Sequence, residues 1–226
     1  MRSFVTTLLL AACAALSLAP AASADTLLFD YVGFDYESPD PNPATFGEPG
    51  SSYVGLGTVP FLFAPLVANT ALNEYTFVIQ GLSPTSVLPV GSFNIINYDS
   101  GTLTIYEDSK AGGTTGTFTP NPSGGPIPPT FTDGTAILVG TLTNFQLTID
   151  TSNGVGYFEA VFSVTGGSQV GNFPLNQRLG WTLSGTTGEA LNIPEGYAHQ
   201  LDGQTFLGEP VSARRMTWGK LKNGYR

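Results

Sequence analysis

The chain has 226 residues, with seventeen acids against eight Lys and Arg, one histidine and one cysteine. Between Asp25 and Glu209 only Lys110 and Arg178 oppose all seventeen acids, a formal charge of −15 (two cations against seventeen anions). Such a body has no basic face to replace phosphate counterions, so nucleic acid is excluded as a partner, and with Cys13 the only thiol there are no thiolate zinc sites, iron–sulfur clusters or internal disulfides.

The first element in chain order is a processing signal. "MRSFVTTLLLAACAALSLAPAASADT" joins Arg2 to an apolar run over residues 4–18 and the small-residue site Ala22-Ser23-Ala24. This predicts a signal peptide over residues 1–24 and an exported protein, whether periplasmic, cell-surface or secreted. An alternative is "LAAC" at residues 10–13, which resembles a lipoprotein cleavage site that would leave Cys13 lipidated. After Asp25 no apolar run of about 20 residues remains to form a transmembrane helix.

From residue 26 onward, short alternating runs sit between Gly, Pro and Asn clusters, and no long segment has apolar residues at helical spacing. Strands are predicted over 26–34, 73–81, 92–98, 101–108, 136–150, 155–164, 179–185 and 197–206. Asn153-Gly154 predicts a two-residue type I′ turn between two of them. That turn pairs Ile149 with Phe158, Leu147 with Ala160, Phe145 with Phe162 and Thr143 with Val164, an almost wholly apolar face. The other face pairs Thr148 with Glu159 and Asp150 with Tyr157. One buried and one wet face point to an all-β fold, an antiparallel β-sandwich or jelly roll, over residues 25–210 as a single domain.

Two Pro- and Gly-rich stretches, 35–52 and 108–134, resist strand assignment and read first as disordered or passive connections, second as binding loops. "GTLT" occurs at Gly101 and Gly140, but its surroundings do not repeat.

Catalytic signatures are sparse. The one histidine, His199 in "EGYAHQLDG", reads as an ordinary surface or strand residue, and no G-x-S-x-G, H-E-x-x-H or phosphate-binding glycine loop is present. Glu159 and Glu107 are the carboxylates a glycosidase would need; each otherwise reads as a solvated strand residue. Asp30, Asp35, Glu37 and Asp40 are the candidate calcium ligands, with Glu107, Asp108 and Asp133 bracketing the longer loop, although no ligand-spaced loop is present. Trp181 and Tyr157 are the candidate sugar-stacking residues; a tryptophan in an apolar strand otherwise packs in the core.

The ordered phrases "NEYTFVIQGL", "SGTLTIYEDS", "TFTDGTAILVGTLTNFQLTI" and "GVGYFEAVFSVTGG", over about residues 70–170, resemble a group of exported bacterial proteins without an established activity. The resemblance implies a β-sandwich and export, and supplies no catalytic residues. The ending "MTWGKLKNGYR" is similar to short Trp-Gly-x-x-Lys endings of other exported bacterial proteins. Five of the eight Lys and Arg fall in the last thirteen positions, and residues 211–226 read as a basic aromatic tail. Arg214, Arg215, Trp218, Lys220 and Lys222 are its candidate recognition residues. The expected function is a non-enzymatic extracytoplasmic surface, matrix or interaction protein, requiring no cofactor unless calcium binds. The alternative is a carbohydrate-binding module and, more remotely, a glycosidase, whose partner would be polysaccharide or another cell-envelope component.

Overall fold

The computed structural model describes residues 26–121, 124–188 and 192–208. The expected signal peptide, Cys13, and the tail with Arg214, Arg215, Trp218, Lys220 and Lys222 lie outside the described residues. The strands are β1 (Thr26–Ser38), β2 (Ser52–Leu62), β3 (Asn73–Leu82), β4 (Pro84–Val90), β5 (Phe93–Tyr98), β6 (Gly101–Ser109), β7 (Thr135–Asp150), β8 (Gly156–Gly166), β9 (Trp181–Gly188) and β10 (His199–Leu207). Their order in the sheet is β4-β5-β7-β6-β3-β2-β1-β10-β9-β8, and β8 also pairs with β7. Eight strands therefore close on themselves, with β4 and β5 as a flap beside β7. The fold is all-β as expected, but it is a closed antiparallel barrel in place of the expected sandwich or jelly roll.

Strand β7 makes closure possible. One of its edges pairs with β8; the other pairs with β6 along its first half and with β5 along its second. Between the halves, the register with β8 shifts from Thr143 to Gln146, and Asn144 adopts a φ of 54°. A bulge of this kind bends a strand and raises its twist, which curls the sheet.

The barrel interior is filled by aromatic rings lying across glycines. Tyr31 faces Gly203, Phe77 faces Gly57 and Phe158 faces Gly185 on neighbouring strands. A Cβ on any of these glycines would strike the facing ring. Large and small residues alternate because a narrow barrel has room for one ring per pair of positions. Phe145 stacks on Phe158 with centroids 5.7 Å apart, and Tyr31 packs on Phe77 at 5.0 Å. The outward positions of β8 and β10 include Tyr157, Glu159, Gln200, Asp202 and Gln204, all exposed. Membrane-spanning barrels are apolar outside and polar inside, so this wall is patterned in the opposite sense. No helix among the described residues is long and apolar enough to cross a membrane.

The β7–β8 hairpin buries Phe145, Leu147, Ile149, Phe158 and Phe162, as expected. Its register differs from expectation by two residues: Ile149 faces Gly156 and Leu147 faces Phe158. An even shift keeps each side chain on its face. The turn is the cause. The Asp150 carboxylate accepts the N–H and O–H of Ser152 at 2.9 and 2.6 Å, and the Asp150 carbonyl accepts the Gly154 N–H at 2.8 Å. Asp150 N–H then bonds the Val155 carbonyl, closing a four-residue loop in place of the expected Asn153-Gly154 turn. Past the bulge Thr143 is exposed and Leu142 faces Phe162.

The loop after β6 runs along the outer wall. It covers Tyr36, Val54, Leu56 and Val78, with Phe131 buried and Phe118 and Ile127 packed beside them. Phe118 meets Phe34 edge-on at 4.8 Å, the Thr76 hydroxyl donates to the Phe131 carbonyl at 3.0 Å, and Tyr36 Oη donates to the Gly125 carbonyl at 3.0 Å. The described part of 108–134 is thus a packed strap, against the first expectation of a disordered or passive connection. It also explains why β1, β2 and β3 are apolar on both faces. Strands β2 and β4 fall outside the expected set.

The two barrel mouths differ. At the near mouth, where Thr26 pairs with Leu207, loops 63–72 and 167–180 meet over the opening. Val67 N–H donates to Gln169 Oε1 at 2.8 Å, Gln169 Nε2 donates to the Val67 carbonyl at 2.7 Å, and Asn172 Nδ2 donates to the Pro65 carbonyl at 3.2 Å. Leu66 and Phe173 plug the opening from these loops, Phe173 against Trp181 at 4.7 Å. The far mouth holds the β1–β2 loop and the polar cluster described next.

Candidate functional site

Alternation along β1 sends Tyr31, Gly33, Asp35 and Glu37 inward. Two carboxylates therefore enter the far end of an apolar barrel, Asp35 at 0% exposure and Glu37 at 1%. A buried charge is costly unless every lone pair finds a donor. Asp35 Oδ1 accepts the backbone N–H of His199 at 2.9 Å and lies 2.9 Å from His199 Nδ1, and Oδ2 accepts the Tyr53 hydroxyl at 3.1 Å. Glu37 accepts the hydroxyls of Tyr98 and Ser51, each at 2.6 Å, and the N–H of Gly47 at 2.9 and 3.1 Å. Phe46 covers the His199 ring edge-on at 5.0 Å.

The electrostatics follow from this burial. Desolvation pushes the Glu37 carboxyl above its ordinary range; its hydroxyl and N–H donors pull it back in part, and the neighbouring Asp35 adds a further push. Burial, then the Asp35 charge, holds the Tyr53 phenol well above its ordinary value; burial and Glu37 do the same for Tyr98. Both phenols stay protonated and serve as donors. The cluster ties β1, β2, β5, β10 and the 39–51 loop together.

His199 is thus a buried brace on Asp35, not the surface residue the sequence suggests. The clue was its parity: His199, Leu201, Gly203 and Thr205 alternate inward. Its partner Asp35 is 164 positions away, beyond any local signal. The one hydroxyl bound to Glu37 from the adjoining loop, Ser51, is committed there, so Ser51, His199 and Asp35 do not form a nucleophile–base–acid relay.

The candidate calcium ligands are not assembled. Asp30 stands on the opposite face of β1 from Asp35 and Glu37, and Asp40 is exposed in the loop, accepting the N–H of Asn42. Among the described residues no group of three His, Cys, Asp or Glu converges to hold a metal ion. Glu107 and Glu159 pair with Thr135 and Gln146 on opposite edges of β7. Those pairing positions lie eleven residues apart along β7, on either side of the bulge at Asn144, so the two acids belong to different stretches of the wall and not to one facing pair at the about 5–9.5 Å a glycosidase needs.

Trp181 is fully buried against Phe162 and Phe173, its indole N–H donated to the Gln177 carbonyl, so it packs the core and presents no face to a sugar. Tyr157 is half exposed on the outer face of β8. A shallow depression of about 180 Å³ lies in the 39–51 loop, lined by Asp40, Thr45, Glu48 and Ser51 among others. Compared with family models, curated proteins and solved structures, the chain matches none of them.

Proposed function

We propose that this is a non-enzymatic extracytoplasmic protein that acts through its outer surface, as a surface, matrix or interaction module. The observation that carries the reading is the fate of its reactive groups: the one histidine and the two inward carboxylates are buried and engaged in bracing the far mouth. The ring-packed interior supports the same reading, since a barrel that encloses a ligand keeps its centre open. Carbohydrate binding is the second reading, favoured by Tyr157 alone, half exposed in a row with Thr148, Ile95 and Leu88 across β7, β5 and β4.

A polysaccharide panel run with calcium and with chelator, scored for both retention and hydrolysis, tests these readings. We expect no hydrolysis and no shift with chelator. Release of reducing sugar would overturn the non-enzymatic reading. Retention lost in Tyr157→Ser would move the carbohydrate reading ahead, and chelator-sensitive retention would return calcium to the acid clusters.

A further inference from the structure

We propose that the near mouth of the barrel is a docking surface for an anionic lipid bilayer. The inference rests on the reading of the protein as a surface-acting module and names its partner. Loops 63–72 and 167–180 turn Leu66 and Phe173 inward as plugs and leave a second set of apolar side chains outside. Phe61, Val67, Leu72, Leu175 and Leu179 are each more than half exposed, and Phe63 stacks beside Phe61 at 6.5 Å. Contiguous exposed apolar groups of this kind mark interaction surfaces.

Charge selects the partner. Neither loop contains an acid, in a chain that has seventeen. The two described cations both stand here: Arg178 lies between Leu175 and Leu179, its Nε donated to the Phe173 carbonyl at 2.9 Å, and Lys110 donates to the Thr70 carbonyl at 2.6 Å. The acids at this end sit on β1, β3, β6 and the roots of the strap: Asp30 pairs across from Phe61, and Glu74, Glu107, Asp108 and Asp133 are bonded to Gly116, Asn73, Ser109 and Thr114. Both ends of the described fold also leave from this mouth, because Thr26 pairs with Leu207. The sequence beyond Gly208 carries Arg214, Arg215, Trp218, Lys220, Lys222 and Arg226. Five residues separate Gly208 from Arg214, at most about 20 Å of extended chain from one to the other. Apolar side chains at the acyl boundary, with Arg and Lys at headgroup level, are the pattern by which proteins lie on anionic membranes.

The far mouth makes the contrast. Leu88, Val90 and Phe93 are exposed there too, but neither described cation stands at that end, and Asp40, Glu48, Asp99, Asp150 and Glu195 surround it. An anionic bilayer would repel it.

Vesicle sedimentation tests the proposal, using the protein as its producing cell delivers it. We expect binding to an equal mixture of phosphatidylcholine and phosphatidylglycerol, weaker binding to phosphatidylcholine alone, and loss at high salt. The double variant Leu175→Ser, Leu179→Ser removes exposed groups only and should fold as the parent, checked by circular dichroism, yet bind roughly tenfold or more weakly. Leu88→Ser at the far mouth should bind as the parent does. The proposal is overturned if the parent ignores anionic vesicles, if the double variant binds equally well so that the tail alone suffices, or if Leu88→Ser costs as much. A soluble anionic polysaccharide forms the last arm: capture by it without vesicle binding overturns lipid docking and leaves the surface-module reading standing.

Discussion

Asp35, Glu37 and His199 show how one strand's parity can place charge where the rest of the barrel is hydrocarbon. The strand read from the sequence stopped at residue 34, whereas β1 runs on to Ser38 and carries Asp35 and Glu37 inward; the groups that hold them there come from Ser51, Tyr53, Tyr98 and His199, all outside that strand in sequence. Read without those partners, the same acids looked like calcium ligands. Burial raises the Glu37 carboxyl above its ordinary value of 4.5. The folded state therefore holds the Glu37 proton more tightly than the unfolded chain does. Stability from this group is fully present below 4.5 and is lost as pH rises through the raised folded value. We expect Glu37→Gln, which cannot ionise, to lack this component. Melting temperatures of parent and variant across pH 4 to 8 should show the parent falling relative to the variant as pH rises (a window of about four units around the carboxylate range). Parallel curves would mean that Glu37 ionises in the fold as it does in the unfolded chain.

At the scale of elements, strands with clean alternation were legible and strands carrying backbone breakers were not. Strand β2 reads "SYVGLGTVPFL", and β4 reads "PTSVLPV"; Gly55, Gly57, Pro60, Pro84 and Pro89 are residues that argue against a strand when read alone. In β2 the glycines are required by packing, since Gly57 lies under the Phe77 ring and against Gly33. The β7–β8 hairpin was legible in its faces, fixed by Phe145, Leu147, Ile149, Phe158 and Phe162. Its register was not, because Asp150 caps a longer turn with its own side chain. The face assignment has a direct test. Phe158 is buried between Phe145 and Tyr31, and we expect Phe158→Ala to destabilise by about 3–5 kcal/mol. Glu159 is exposed one position away, and Glu159→Ala should stay within about 0.5 kcal/mol. Denaturant melts of both decide it; a costlier Glu159 variant would reverse the faces of β8.

Closure is the property of the whole molecule that no local pattern announces, since a sandwich and a barrel share the same alternation. What distinguishes them is that β7 bonds on both edges, through a bulge at Asn144, and that inward glycines let neighbouring strands approach. The tightest approach is Gly33 against Gly57, paired across β1 and β2. A Cβ on Gly33 would stand 2.0 Å from the Leu56 carbonyl oxygen and 2.8 Å from Gly57 Cα; one on Gly57 would stand 2.1 Å from the Val32 carbonyl oxygen and 2.5 Å from Gly33 Cα. All four obstacles are backbone, so no rotamer change relieves them and the strands must part. Parting β1 from β2 opens the ring and uncovers the strap's seat on Tyr36, Val54 and Leu56 as well. We therefore expect Gly33→Ala and Gly57→Ala each to cost about 3 kcal/mol or more, the upper end for overpacking. Gly171→Ala meets nothing within 4 Å and serves as the control, changing stability by no more than about 0.5 kcal/mol. Chemical denaturation gives the three values, and amide exchange on β1 and β2 shows where the loss falls. If the barrel is closed as described, the Gly33 and Gly57 variants should lose protection along both strands and along the strap above them. Protection lost nowhere beyond the substituted residue would mean that β1 and β2 do not approach this closely.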